Sequence, residues 1–216
     1  MKITKKAVMA YIIGLSALTI STTSFADSAQ VLQDTNGNTL KTGQAYGIRP
    51  VGIVPKVNIT VDNDGYVKLS DHRINCQYAY RLIGDDRVEK RNVRTGERIR
   101  FEEWKKGTDG VYRKINKFLK QEGKYIHSSL EEYKYIPGFS VFDPDIYLYE
   151  VAQFKLSTLD SLSKIRINTF EDNGSYMWKV PYSSDLGTHF VQLQDKNEKL
   201  GITMFEFERA NQTSKK

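Results

Sequence analysis

Cysteine is nearly missing from this chain. Cys76 is the only one among 216 residues, so no disulfide can form within it, and the fold must be held by burial of apolar surface. That excludes a small disulfide-stapled scaffold. Long apolar runs are missing too. The uncharged stretch of residues 7–20 (AVMAYIIGLSALTI) would span only about 21 Å as a helix, short of the roughly 30 Å hydrocarbon core. No later segment approaches a membrane-spanning length. Also absent are HExxH, G-x-S-x-G, a phosphate-binding glycine loop and any Cys/His cluster with zinc spacing. These absences leave no catalytic residue, metal ligand or cofactor to nominate, and a non-enzyme is expected.

Acidic residues are missing from the first 26 positions, where Lys2, Lys5 and Lys6 form a cationic head. The uncharged run follows, and Ser24-Phe25-Ala26 places small residues where a signal peptidase reads. Residues 1–26 are therefore expected to be a secretory signal peptide, and residues 27–216 a single exported domain, secreted or periplasmic. Without the leader the chain keeps 29 basic and 26 acidic residues, and its formal charge falls from +6 to +3. A strongly basic nucleic-acid binder is disfavoured, and neither a nucleic-acid partner nor a membrane span is expected. With 39% apolar and 12% aromatic residues, the composition is that of a folded protein.

Short alternating runs broken by turn residues dominate, which predicts strands. Val57-Asn58-Ile59-Thr60-Val61 leads into Asp62-Asn63-Asp64-Gly65, and Val67-Lys68-Leu69 resumes. Ile165-Arg166-Ile167-Asn168 is followed by the Asp172-Asn173-Gly174 turn and Tyr176-Met177-Trp178. Phe190-Leu193, a polar turn and Ile202-Phe207 are expected to make a final hairpin. One segment has another period: Val111, Ile115, Phe118 and Leu119 recur at i, i+4, i+7 and i+8. That spacing predicts a short surface helix ending near Gly123, its cations left in water.

Isolated chemistry-bearing residues have plain structural explanations. Cys76, near His72, lies in a strand-like stretch where a free thiol behaves as a small hydrophobe. His72, His127 and His189 are far apart in sequence. Asp143 and Asp145 flank Pro144, as a turn requires.

The mature N-terminus carries more information. Leu32-Gln33-Asp34-Thr35-Asn36-Gly37-Asn38-Thr39-Leu40, five further residues, then Tyr46-Gly47-Ile48 reads as a strand, a tight Asn-Gly turn and a second strand. It also resembles the N-terminal signature of the plant Kunitz (soybean trypsin inhibitor) family. Asp185-Leu186-Gly187, Phe190-Leu193 and Phe205-Glu208 are similar to that family's closing segment. The resemblance implies an all-β β-trefoil: a six-stranded barrel and a hairpin cap in three units, divided near residues 95 and 150, here with a short helix in an insertion. Residues 102–145 do not match the family.

The resemblance also implies a monomeric inhibitor of serine proteases, with a trypsin-like enzyme as the partner. Its protease-binding loop would be Gly96, Glu97, Arg98, Ile99 and Arg100, with Arg98 entering the specificity pocket and Ile99 following the scissile bond. Thr42 stands where the family has a loop-supporting Asn; one hydroxyl cannot bridge two loop carbonyls as an amide can. The family disulfides have no counterpart. Three alternatives remain, one of them an exported enzyme, which would need titratable side chains such as His72, His127 and His189 gathered beside Asp or Glu in a pocket. The run Arg87, Lys90, Arg91, Arg94, Arg98, Arg100 can be a solvated charged loop, and the fold can serve as a binding module for a cell-surface protein or glycan. The repeated Gln-x-Trp of sugar-binding trefoils is absent, with only Trp104 and Trp178 present.

Overall fold

A computed structural model describes residues 29–54, 56–70, 77–130, 133–136, 146–149, 153–169, 176–181, 189–195 and 201–210. The expected signal segment, His72, Cys76, Asp143 and Asp145, the Asp172-Gly174 turn and Asp185-Gly187 lie outside these. Every regular element among the described residues is a strand: β1 Ala45–Pro50, β2 Ile59–Val61, β3 Val67–Leu69, β4 Tyr78–Gly84, β5 Arg98–Lys106, β6 Tyr112–Glu122, β7 Tyr125–Leu130, β8 Tyr133–Ile136, β9 Ile146–Tyr149, β10 Phe154–Thr158, β11 Ile165–Thr169, β12 Tyr176–Lys179, β13 Gln192–Asp195 and β14 Phe205–Arg209.

Six of them close a ring. β1 pairs with β4, β4 with β5, β5 with β10, β10 with β11, β11 with β14, and β14 returns to β1, all antiparallel. Closure leaves the barrel no free edge. Three hairpins, β2–β3, β6–β7 and β12–β13, rise between successive barrel strands. They meet through the Tyr66–His127, Lys68–Phe190 and Gln192–Tyr125 pairings. This strand–hairpin–strand unit occurs three times, and the architecture is a β-trefoil. The junctions lie at residues 85–97 and 159–164. The second is later than expected because an extra hairpin, β8–β9, is inserted between β7 and β10.

Alternation selects the core. Leu40, Ile48, Leu82, Ile99, Phe101, Leu156, Ile165, Phe205 and Phe207 are fully shielded. Trp178 reaches into the same core, its ring 5.5 Å from Phe101, 5.2 Å from Phe154 and 6.0 Å from Phe205. Leu193, half-buried, packs against this core, whereas Phe190, also half-buried, does not take part in it. Phe190 instead stands 6.1 Å from Tyr66 and 5.9 Å from Tyr125 in the cap, where Tyr66 also meets His127 at 5.0 Å. Gly65 (φ +93°) makes this junction possible, since a Cβ there would lie 2.5 Å from His127 Nε2.

Two expectations are corrected. Tyr112–Glu122 form strand β6 and not a helix. The β5–β6 register passes from Glu102↔Phe118 to Trp104↔Lys114, so four steps on β6 face two on β5, and Asn116 turns to φ +58° within the irregularity. The extra residues shift the alternation phase, so strand positions imitate a helical stripe. Nor do the last two strands pair with each other: β13 pairs with β12, and β14 with β1 and β11.

Candidate functional site: the β4–β5 junction

The N-terminal hairpin sets the base of the site. Asp34 is buried and its Oδ1 accepts from the Asn36 and Asn38 amides at 2.8 and 2.9 Å, while Gly37 takes φ +79°. These local bonds fix the turn and bury Leu32 and Leu40 on either side of it. Lys41 N donates to Tyr46 Oη at 2.9 Å, and burial pushes that phenol's pKa up.

Thr42 follows, buried, against residues 85–97. Its hydroxyl donates to Val88 O at 2.5 Å and accepts from Arg91 N at 3.1 Å. Its own backbone adds Thr42 N to Arg91 O at 2.9 Å and Lys90 N to Thr42 O at 2.8 Å. One residue thus holds the junction at Val88, Lys90 and Arg91, and the backbone supplies what a single hydroxyl cannot. The junction is further tied by Arg91 to Asp86 (2.8 Å) and Glu97, and Glu97 accepts from Arg94 N at 3.2 Å. Arg87, Val88, Glu89 and Lys90 project to solvent at its tip, Val88 being 52% exposed.

The residues expected to form the binding loop separate. Gly96 is exposed with φ +81°, and Glu97 is half-buried in its pair with Arg91. Arg98 is exposed, 3.7 Å from Asp85. Ile99 and Arg100 are not loop residues. Ile99 is wholly buried in the barrel, paired with both Gly84 and Phe154, and Arg100 is 7% exposed on the outer face of β5. A scissile Arg98–Ile99 bond would have to be pulled out of the barrel wall. The solvent-facing segment lies earlier, around Val88-Lys90, and only the Thr42 contacts reveal it.

Behind that tip, Glu102 is almost fully buried. Burial alone would raise its pKa, but bonds from Lys114, Trp104 Nε1 (2.9 Å) and Arg81 (3.1 Å) together hold it below the usual glutamate range. Arg81 also binds Glu89 and donates to Gly43 O at 3.1 Å, which ties the barrel wall to the junction. The neighbouring Glu103 shares the inward-facing parity of Ile99 and Phe101 on β5 and is buried with them. Burial raises its pKa, and its hydrogen bond from Ser128 only partly offsets that. His127 and His189 sit in the cap. His127 Nε2 lies 2.9 Å from Asp64 O, and His189 is buried, its backbone O accepting from Leu69 N. Among the described residues no group of three or more His, Cys, Asp or Glu is placed to hold a metal, and no helix is long and apolar enough to cross a membrane.

No protein-family model and no curated protein sequence matches the chain. Solved structures do. A Kunitz type trypsin inhibitor from Cicer arietinum is 16% identical, with TM-score 0.53 over 84% of this chain and 99% of its own. A variant of the Bauhinia bauhinioides kallikrein inhibitor, complexed with bovine trypsin, is 14% identical, with TM-score 0.51 over 85% and 100%. The receptor binding domain of botulinum neurotoxin D is 11% identical at TM-score 0.57, over 86% of this chain and 45% of that one. At such identities the likeness is one of fold.

Proposed function

We propose that the protein is a non-catalytic, exported binding protein, residues 27–216 acting as one monomeric domain, that inhibits a serine endopeptidase through its β4–β5 junction. The observation that carries this reading is the four-bond attachment of Thr42 to residues 88–91. A tip held at several backbone points loses little conformational entropy on docking, which is what separates an inhibitor from a substrate. Two solved proteins of the same fold, a trypsin inhibitor and an inhibitor bound to trypsin, support the choice of partner. Lys90, exposed between pinned neighbours, is the cation available to a trypsin-like pocket.

A second reading rests on the backbone itself. Arg87 and Lys90 have φ of 55° and 61°, outside the extended conformation that a protease cleft reads, so the tip would have to rotate on entering one. A docking surface for a non-protease protein needs no such change.

Titration of the purified protein against trypsin-like, chymotrypsin-like, subtilisin-like and papain-like proteases tests the first reading. Stoichiometric inhibition, weakened at least about tenfold by Lys90→Ala, and slow cleavage within residues 88–91 are expected. No inhibition across the panel overturns it in favour of the second.

A further inference from the structure

We infer that Arg100 marks a built binding site for a small phosphate- or sulfate-type oxyanion in the cleft beneath the β4–β5 junction. The inference is independent of the proposed partner. The cleft has a volume of about 240 Å³, and its charged lining is Arg81, Arg87, Arg100 and Lys114 against Glu89 and Glu102.

The balance of that lining points to a missing anion. Glu102 is occupied by Arg81, Lys114 and Trp104, and Glu89 by Arg81. Arg100 stands two residues before Glu102 on the same face of β5, 93% shielded from water, and its Nε is buried without an acceptor. Its side chain has no ion pair or hydrogen bond among the described residues. A guanidinium cannot shed its charge by deprotonation, and an uncompensated buried charge is strongly unfavourable. The rest of the fold does not force the position to be charged, since Leu82, Ile83, Val88 and Phe118 line the same cleft.

The chemistry of the ligand follows from the donors. A guanidinium fork matches two oxygens of a phosphate, sulfate or carboxylate. Arg81 and Lys114 are committed to Glu89 and Glu102, which leaves the Arg100 fork to select the ligand, and a tetrahedral oxyanion that fills the fork with two oxygens still turns others to the retained water. At about 30 Å³ per water, the cleft holds such a group with several retained waters, or with a small organic substituent against Phe118 and Ile83. The anion is thus either the free ion or a monoester.

Calorimetric titration of the purified protein at constant ionic strength, with inorganic phosphate, phenyl phosphate, acetate and chloride as probes, tests this. Saturable one-to-one binding of both phosphates, and little of acetate or chloride, is expected. Phenyl phosphate binding about tenfold or more tighter assigns the site to a monoester, and equal binding assigns it to the free ion. Arg100→Gln should abolish binding and raise the thermal midpoint of the ligand-free protein. Arg113→Gln, which touches only the exposed Asp109 pair, should leave binding unchanged. If Arg100→Gln fails to fold, the Arg100 Nε–H resonance of the unaltered protein provides the readout and should shift with the same binding curve. Absence of saturable binding, a response from chloride as large as from phosphate, or binding retained by Arg100→Gln overturns the site.

Discussion

The two junctions between trefoil units do the same topological work by different means. Residues 159–164 join β10 to β11 in one short turn, held by a 3.0 Å bond from Lys164 N to Ser161 O and by Ser161 Oγ lying 3.1 Å from Ser163 Oγ. Residues 85–97 join β4 to β5 with more than twice the length, and carry the Thr42 attachment, the Arg91 pairs with Asp86 and Glu97, and the Arg81 bridge between Glu89 and Glu102. Closing the barrel requires only the shorter form. A long connection costs little extra closure entropy, yet ordering its backbone is unfavourable by about 1 kcal/mol or more per residue. Part of the longer junction belongs to the fold, since Val93 is wholly buried in the core and exchanges backbone bonds with Leu32 and Leu40; residues 86–91 lie outside that core, and their ordering is explained by what they present and cover.

The largest effect should come from breaking the network behind the long junction. Glu102→Gln removes the carboxylate shared by Lys114 and Arg81, and since Lys114 is partly solvated and Arg81 keeps Glu89, it should cost about 2–3 kcal/mol near neutral pH in chemical denaturation. Because the folded-state pKa of Glu102 is depressed, its stabilisation is present above the ordinary glutamate value of 4.5 and disappears as pH falls through the lower folded value. The gap between the two proteins should close in that acid range; a gap that persists would mean the loss is steric.

Thr42→Val removes the hydroxyl at nearly constant shape and strands Val88 O and Arg91 N, a loss of about 1–3 kcal/mol. Hydrogen exchange should speed up across residues 86–92 and stay unchanged at 159–164. Uniform acceleration at both junctions would show that Thr42 supports the barrel and not the tip.

Glu103 has the opposite sign to its neighbour. Its pKa is raised, so protonation favours the folded state: that stabilisation is full below the ordinary value of 4.5 and is lost as pH rises through the folded value. Glu103→Gln should accordingly be neutral or slightly stabilising at pH 7, and lose that advantage toward pH 4 in thermal melts. The smallest effect belongs to the short junction, where Ser161→Ala should alter stability by less than about 0.5 kcal/mol.

Much of this architecture is legible in local pattern. The Asp34-Asn36-Gly37-Asn38 turn is readable because its bonds join residues at most four apart. The alternation in Val57-Val61 and Ile165-Asn168 foretells strands because side-chain direction on a strand follows from sequence parity. That logic fails where parity breaks. Along Tyr112–Glu122 the β5–β6 register shift makes a strand look helical, and the one local trace of the shift is Asn116, a residue type that tolerates its positive φ.

The candidate site shows the same division. The sequence locates the basic run 87–100 and the importance of Thr42, but not which cations face solvent. Arg98 and Arg100 share a residue type and lie two apart, yet one is exposed at a strand end and the other sealed beneath the junction.

By itself the sequence determines that no internal disulfide stabilises the chain, that its strands are short and amphipathic, and that its N-terminal turn forms. Tertiary structure alone decides that β14 closes against β1, that Ile99 belongs to the core, and that Arg100 is buried with no ion pair among the described residues. The physical reason is that antiparallel pairing between strands as distant as β1 and β14 fixes register non-locally, and register, through the two-residue period of the strand, decides which charges face water.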